Sequence, residues 1–301
     1  MSHRHRILAL LAATTALLSS TACDRAESAG PTRFTVVATT PEVADFARAV
    51  GGEHVKVTQL IKVGVDPHDY EPTPADIKAI ADARLLVENG AGLEEWLGQT
   101  ISSAGFRGPV VDTSSGVPLR PGDPHIWHDP RNARLMVGTI AKGLAGADPA
   151  HAADYARNSA AYTAEIDRLD RENQAAFDAL PAADRKLVTD HDAFGYYVDR
   201  YRLEFVGSVI PSMDTSAELS ARQLTDLVAK IRATGTKAVF TESSLPRKTA
   251  EAIAEQAGVR VVGGADALFG DSLGEPGTPE GTYLGAERHN TRVITAALAG
   301  R

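Results

Sequence analysis

DPAHAADYARNSAAYTAEIDRLDRENQAAFDAL, residues 148–180, decides how this chain is organised. Tyr155, Tyr162, Ile166, Leu169, Phe177 and Leu180 recur at helical spacing, with acids and arginines between them. After Pro149 no glycine or proline interrupts the run, and Pro181 closes it. At ~1.5 Å per residue such a helix would be on the order of 45–50 Å long, more than one small domain needs. The stretch therefore predicts a rod joining two bodies. Two shorter helices with a bend between them are the alternative.

Strands and helices alternate on both sides of the rod. Before it, short β-rich runs at 33–38, 55–61, 84–87 and 109–111 are interleaved with helical patterns at 42–50, 74–83, 93–103 and 131–145. After it, strands are expected at 186–189, 203–209, 237–241 and 259–262, with helices at 193–201, 221–233 and 248–257 and a last one at 283–299. Such alternation argues for βαβ units and covered, mainly parallel sheets, hence an α/β fold. The predicted organisation is a first lobe at 33–147, a linking helix at 148–181 and a second lobe at 182–301.

The amino terminus reads differently. Arg4 and Arg6 precede an apolar run at 7–18, too short to span a bilayer, so residues 1–22 are read as a cleaved export signal. Cys23, the only cysteine, follows SSTA, a lipobox-like stretch with Ser20 where leucine is usual, and is read as a lipid anchor. Residues 23–32 are small and polar, as in a flexible tether. Cleavage leaves 29 basic and 39 acidic residues, a balance of −10. That charge argues against nucleic acid and anionic lipid head groups as partners and favours cations. With one cysteine, no disulfide forms within the chain, and the core must supply the stability.

Seven histidines remain after cleavage, and three fall beyond the carboxyl ends of strands, where open α/β sheets present their ligands. His68 stands in VGVDPHDYEPTPADI (63–77), where Pro67 and Pro72 fix φ, remove amide donors and exclude regular helix or strand. His125 follows the fourth strand in GDPHIWHDPRNA (122–133), and His191 follows the strand KLVT in VTDHDAFGYY (188–197). Asp271 joins them from LFGDSLGEPGTPEG (268–281), after the last strand of the second lobe. Three imidazole nitrogens and one carboxylate oxygen make a four-coordinate set that suits Zn²⁺. Calcium would call for many oxygens on a regularly spaced acidic loop.

Taken singly, each residue has a plainer role. Most loop histidines are surface groups, and Asp271 among glycines and Pro276 is an ordinary turn former. Their conjunction at equivalent strand ends carries the argument. His128, three residues after His125, is read as a substitute ligand or as a group behind the ligands. Glu242, ending the strand in VFTES (239–243), is read as a group behind the ligands or a cap for the next helix. His54, His151 and His289 are expected to be solvent-exposed.

Four segments in order, VDPHDYEPTPADI, DPHIWHDPRNA, TDHDAFGYY and DSLGEPGTPEGTYLG, resemble the signatures of the metal-binding lipoproteins of bacterial ABC importers. These are the cluster A-I solute-binding proteins, with a TroA-like helical-backbone metal-receptor fold, and the resemblance covers nearly the whole mature chain. It implies two lobes, each with a four-stranded mainly parallel sheet, joined by one rigid long helix. It also implies a metal site at the interface on His68, His125, His191 and Asp271, and delivery to a membrane permease by a monomer anchored outside the cytoplasmic membrane or in the periplasm. Manganese-type members usually carry glutamate at the third position, so His191 points to zinc, with Mn²⁺ as the alternative.

Two departures from the family stand out. Residues 114–123 lack the histidine-rich loop of many zinc members, so a separate metallochaperone is a candidate partner. His128 stands where relatives usually have an apolar residue. A zinc hydrolase with Glu71 or Glu242 as base is the competing function; it needs an open coordination position, and the sequence has no HExxH helix or nucleophile elbow. With unperturbed histidines, metal affinity is expected to fall below about pH 6. Release is expected to involve the glycine-rich segment 263–281.

Overall fold

Strand β1 (Phe34–Ala38) pairs in parallel with β2 (Val55–Gln59) on one side and β3 (Leu85–Glu88) on the other, and β4 (Val110–Asp112) extends the sheet beyond β3. The computed structural model describes residues 33–217 and 220–300, so the export signal, the Cys23 anchor and the tether lie outside the described residues. The strands run parallel because helices return the chain between them: α1 (Pro41–Gly51), α2 (Pro74–Ala81) and α3 (Leu97–Ala104). Side chains alternate across the sheet. Val36 joins the core formed with α1 and α4 (Pro130–Ala147), while Val37 faces Ile80, Leu97 and Phe106 on the other side. Helix α3 starts four residues later than the pattern predicts, because residues 90–94 form a hydrogen-bonded turn through Leu93 N and the Gly90 carbonyl.

The long helix is α5 (Ala152–Asp178), 27 residues and unbroken, preceded by a 3-10 turn at Pro149–His151. It is about 40 Å long, shorter than expected, because Pro149 opens a tighter turn and the α-helix stops before Leu180. Tyr155, Ile166 and Leu169 are buried in the first lobe's core and Phe177 in the second's. One helix therefore belongs to two hydrophobic cores, which makes it a strut.

The second lobe contains β5 (Lys186–His191), α6 (Gly195–Tyr201), β6 (Glu204–Ile210), α7 (Ala221–Thr234), β7 (Ala238–Phe240), α8 (Lys248–Ala257), β8 (Arg260–Val262) and α9 (Tyr283–Leu298). Its four strands form two parallel pairs, β5–β6 and β7–β8, with β5 beside β7. At the carboxyl end of that seam carboxylates take the amides. Glu242 N donates to Asp190 Oδ2 at 2.8 Å, and His191 N donates to Glu242 Oε1 at 3.0 Å.

Helix α9 does more than close the second lobe. Tyr283 lies edge-on to Phe46 at 4.9 Å in the first core, and its hydroxyl donates to the Trp127 carbonyl. The partly buried Asp45 carboxylate accepts from both Tyr162 Oη (2.7 Å) and Tyr283 N (3.0 Å), tying α1, α5 and α9 together. The described residues accordingly pack as one unit. Among the described residues no helix is long and apolar enough to cross a membrane.

Candidate metal centre

Two copies of one tripeptide build half of the site. In Asp66-Pro67-His68 and Asp123-Pro124-His125 the aspartate Oδ1 accepts from the histidine's own amide, at 3.0 and 3.1 Å. Proline between them fixes φ and donates nothing, and the aspartate folds back over the histidine. Asp123 also faces His125 Nδ1 at 2.9 Å. In the second lobe His191 ends β5, and Glu242 faces its Nδ1 at 3.0 Å. Both carboxylates occupy the Nδ1 side of their rings and leave Nε2 as the free nitrogen.

The Nε2 atoms converge. His68 Nε2 lies 3.2 Å from His125 Nε2, which lies 3.4 Å from His191 Nε2. Asp271 completes the group, with Oδ2 3.5 Å from His68 and 3.0 Å from His191 and with Oδ1 3.3 Å from His125. One donor atom from each of the four lies within 4.8 Å of all the others. His125 and His191 are fully buried and Asp271 is 1% exposed. The His68 side chain keeps 7% exposure and borders a cavity of about 540 Å³ lined also by Asp69, Tyr70, Glu71 and Trp96. Such a set can hold one divalent cation, four-coordinate through one Asp271 oxygen or five-coordinate through both.

Charge inside the cluster is strongly redistributed. Burial pushes the Asp271 carboxyl up, but His191 and His125 outweigh it and hold the group well below the usual carboxylate range. Burial would lower His125, yet Asp271 and the Asp123 hydrogen bond raise it to about 9. His191 stands well above its ordinary value against the same burial, through Glu242 and Asp271.

His128 does not reach the four. Its Nε2 donates to the Gly270 carbonyl at 3.0 Å, its Nδ1 lies 2.8 Å from Glu287 Oε1, and its ring stacks on Phe194. Trp127 Nε1 donates to the same carbonyl, so both side chains grip the backbone one residue before Asp271. His289 is buried rather than exposed, because α9 packs against the loop whose Ala267 carbonyl accepts from its Nε2 at 3.0 Å. His54 and His151 are only partly exposed: they stack on each other at 3.9 Å, each beside a carboxylate, Asp154 and Asp148.

Three residues escaped the sequence reading. Asp66 and Asp123 were legible in the repeated DPH. Glu42 gave no signal, since an acid after Pro41 reads as an ordinary first-turn residue of a helix. It is 1% exposed, and burial, with smaller contributions from Asp271 and Asp45, lifts it to about 8 against the opposing pull of its own backbone amide and Thr40.

The profile of the family described as zinc-uptake complex component A, periplasmic (ZnuA), matches residues 36–297. The manganese-binding lipoprotein MntA of Bacillus subtilis is 32% identical over 98% of this chain and 99% of its own. The zinc-binding protein TroA of Treponema pallidum is 35% identical over 88% of each. The solved structure of the periplasmic zinc-binding protein TroA superimposes with a TM-score of 0.83 at 32% identity, covering 88% of this chain and 99% of that one. With a profile spanning both lobes and relatives matched nearly end to end, this chain belongs to the ZnuA family.

Proposed function

We propose that the protein captures a divalent transition metal, zinc in the first place, on His68, His125, His191 and Asp271, and hands it to the membrane permease of an ABC importer. One observation carries the reading. Zinc bound tetrahedrally at about 2.0–2.1 Å sets its donor atoms about 3.3–3.4 Å apart. Five of the donor separations here, counting both Asp271 oxygens, run from 3.0 to 3.5 Å, and one donor atom from each residue lies within 4.8 Å of the others. The metals named for the relatives, zinc for TroA and manganese for MntA, agree with a divalent cargo and leave its identity to the ligands. Three nitrogens favour zinc; a second Asp271 oxygen is the feature that would accommodate manganese. Four protein donors leave no position for a reactive water, which favours capture over hydrolysis.

Export, cleavage before Cys23 and lipid attachment there would hold the receptor at the extracytoplasmic face, as the lipoprotein relative's name suggests. The receptor acts as a monomer, both lobes of one chain supplying the site. Without a histidine-rich loop at 114–123, metal arrives free or from a separate metallochaperone. The decisive experiment is titration of metal-free protein with zinc and manganese in competition. Zinc bound more tightly, with one equivalent per chain, is expected; no saturable binding of either would end the proposal. His191→Glu should move preference toward manganese by about tenfold or more, as an oxygen replaces a nitrogen. Unchanged selectivity would place the discrimination elsewhere.

The raised histidines change the expected pH dependence. With His125 at about 9, metal displaces a proton well above pH 6, the range that an ordinary histidine suggests. With His191 raised as well, zinc affinity should fall at least roughly tenfold per pH unit from pH 8 to pH 6, and up to roughly a hundredfold where both rings give up a proton. Competition titrations at pH 8, 7 and 6 read this slope, and a flat line down to pH 6.5 would contradict the charge arrangement.

A further inference from the structure

This inference rests on the proposed metal site and concerns how its most exposed ligand is held. His68 rides on the loop between β2 and α2, and two hydrogen bonds fasten that loop to the second lobe. Gly64 N donates to Ser272 Oγ at 2.7 Å, and Thr215 Oγ1 donates to Asp66 Oδ2 at 2.6 Å. Asp66 is the joint, because its other oxygen accepts from His68 N at 3.0 Å. One carboxylate thus fixes the backbone of a ligand and grips the opposite lobe. The Gly64 bond ends on the residue next to Asp271.

The glycine-rich segment 263–281 is secured in another way. Phe269 exchanges hydrogen bonds with the Asn290 side chain, the Gly270 carbonyl accepts from Trp127 and His128, and Gly274 N donates to the Glu280 carbonyl. Moving Asp271 outward would break this whole set, several of whose members are buried. Moving His68 outward breaks the two interlobe bonds. We propose that Asp66 and Thr215, with Ser272 as a second point, form a latch. These positioning residues hold His68 on the metal and set the rate of release, so that the His68 loop opens while Asp271 stays in place.

The test uses the full chain. Thr215→Val removes the donor to Asp66, and Thr215→Ser keeps it. Stopped-flow transfer of zinc to a colorimetric chelator should be about tenfold faster for Thr215→Val, near the unaltered rate for Thr215→Ser, and faster again when Ser272→Ala is added. The absorption bands of the cobalt-loaded protein should keep their positions, since the same four side chains coordinate. Amide hydrogen exchange at Gly64 and His68, measured without metal, should also quicken in Thr215→Val. Absence of metal binding by the unaltered protein would sink the site, and the exchange experiment would still judge the latch. Release and exchange unchanged in Thr215→Val, or a serine variant as fast as the valine, overturns the latch itself.

Discussion

Asp271→Asn should lower zinc affinity roughly a thousandfold or more, since changes to groups behind the ligands already cost about 10–100-fold and this removes the only anionic donor. Isothermal titration at pH 8, with a competing chelator for the unaltered protein, measures the loss. A second consequence follows from charge. Burial by itself lowers His125, and it is Asp271, with Asp123, that lifts it to about 9. In the asparagine variant that ring loses its largest supporting charge, so the residual affinity should depend much less on pH between 8 and 7. Affinity within tenfold of the unaltered protein would show that the three nitrogens suffice and that Asp271 is not a ligand.

Glu42→Gln should stabilise the metal-free protein at alkaline pH by up to a few kcal/mol. The carboxyl rises from an ordinary 4.5 to about 8 in the folded chain, chiefly through burial. A group whose folded value is raised contributes its full stability below the unfolded value and loses it as pH climbs through the folded one. The loss therefore grows between about pH 4.5 and pH 8, by at most about 1.4 kcal/mol for each pH unit crossed. Glutamine cannot ionise and escapes it. Chemical unfolding at pH 5, 7 and 8.5 should show the variant's advantage widening with pH. Adding zinc should narrow it, because Glu42 feels the charge of Asp271 and would feel the cation beside it. Parallel stability curves for the two proteins would refute the assignment.

Much of the architecture was legible because it depends on local pattern. A run of apolar residues at helical spacing, free of glycine and proline, announces α5 from local pattern. Alternating strands and helices place loops at the carboxyl ends of sheets, and so place His68, His125, His191 and Asp271 on one side of each lobe. Proline on both sides of His68 announced a fixed loop. The repeated DPH holds a further signal, since each aspartate caps the histidine two residues on.

What the sequence by itself determined, then, is the rod, the α/β alternation on either side of it and the loops that carry His68, His125, His191 and Asp271, because periodicity and loop position are properties of neighbouring residues. Tertiary structure alone decided the seam between β5 and β7, the return of Tyr283 into the first core, the burial of His289 and Glu42, and the grip of Trp127 and His128 on Gly270. Each of these depends on which distant segments exclude water from a group and which charges they bring to it. His128 meets Glu287 across 159 positions and Thr215 meets Asp66 across 149, separations at which no local pattern records the partner.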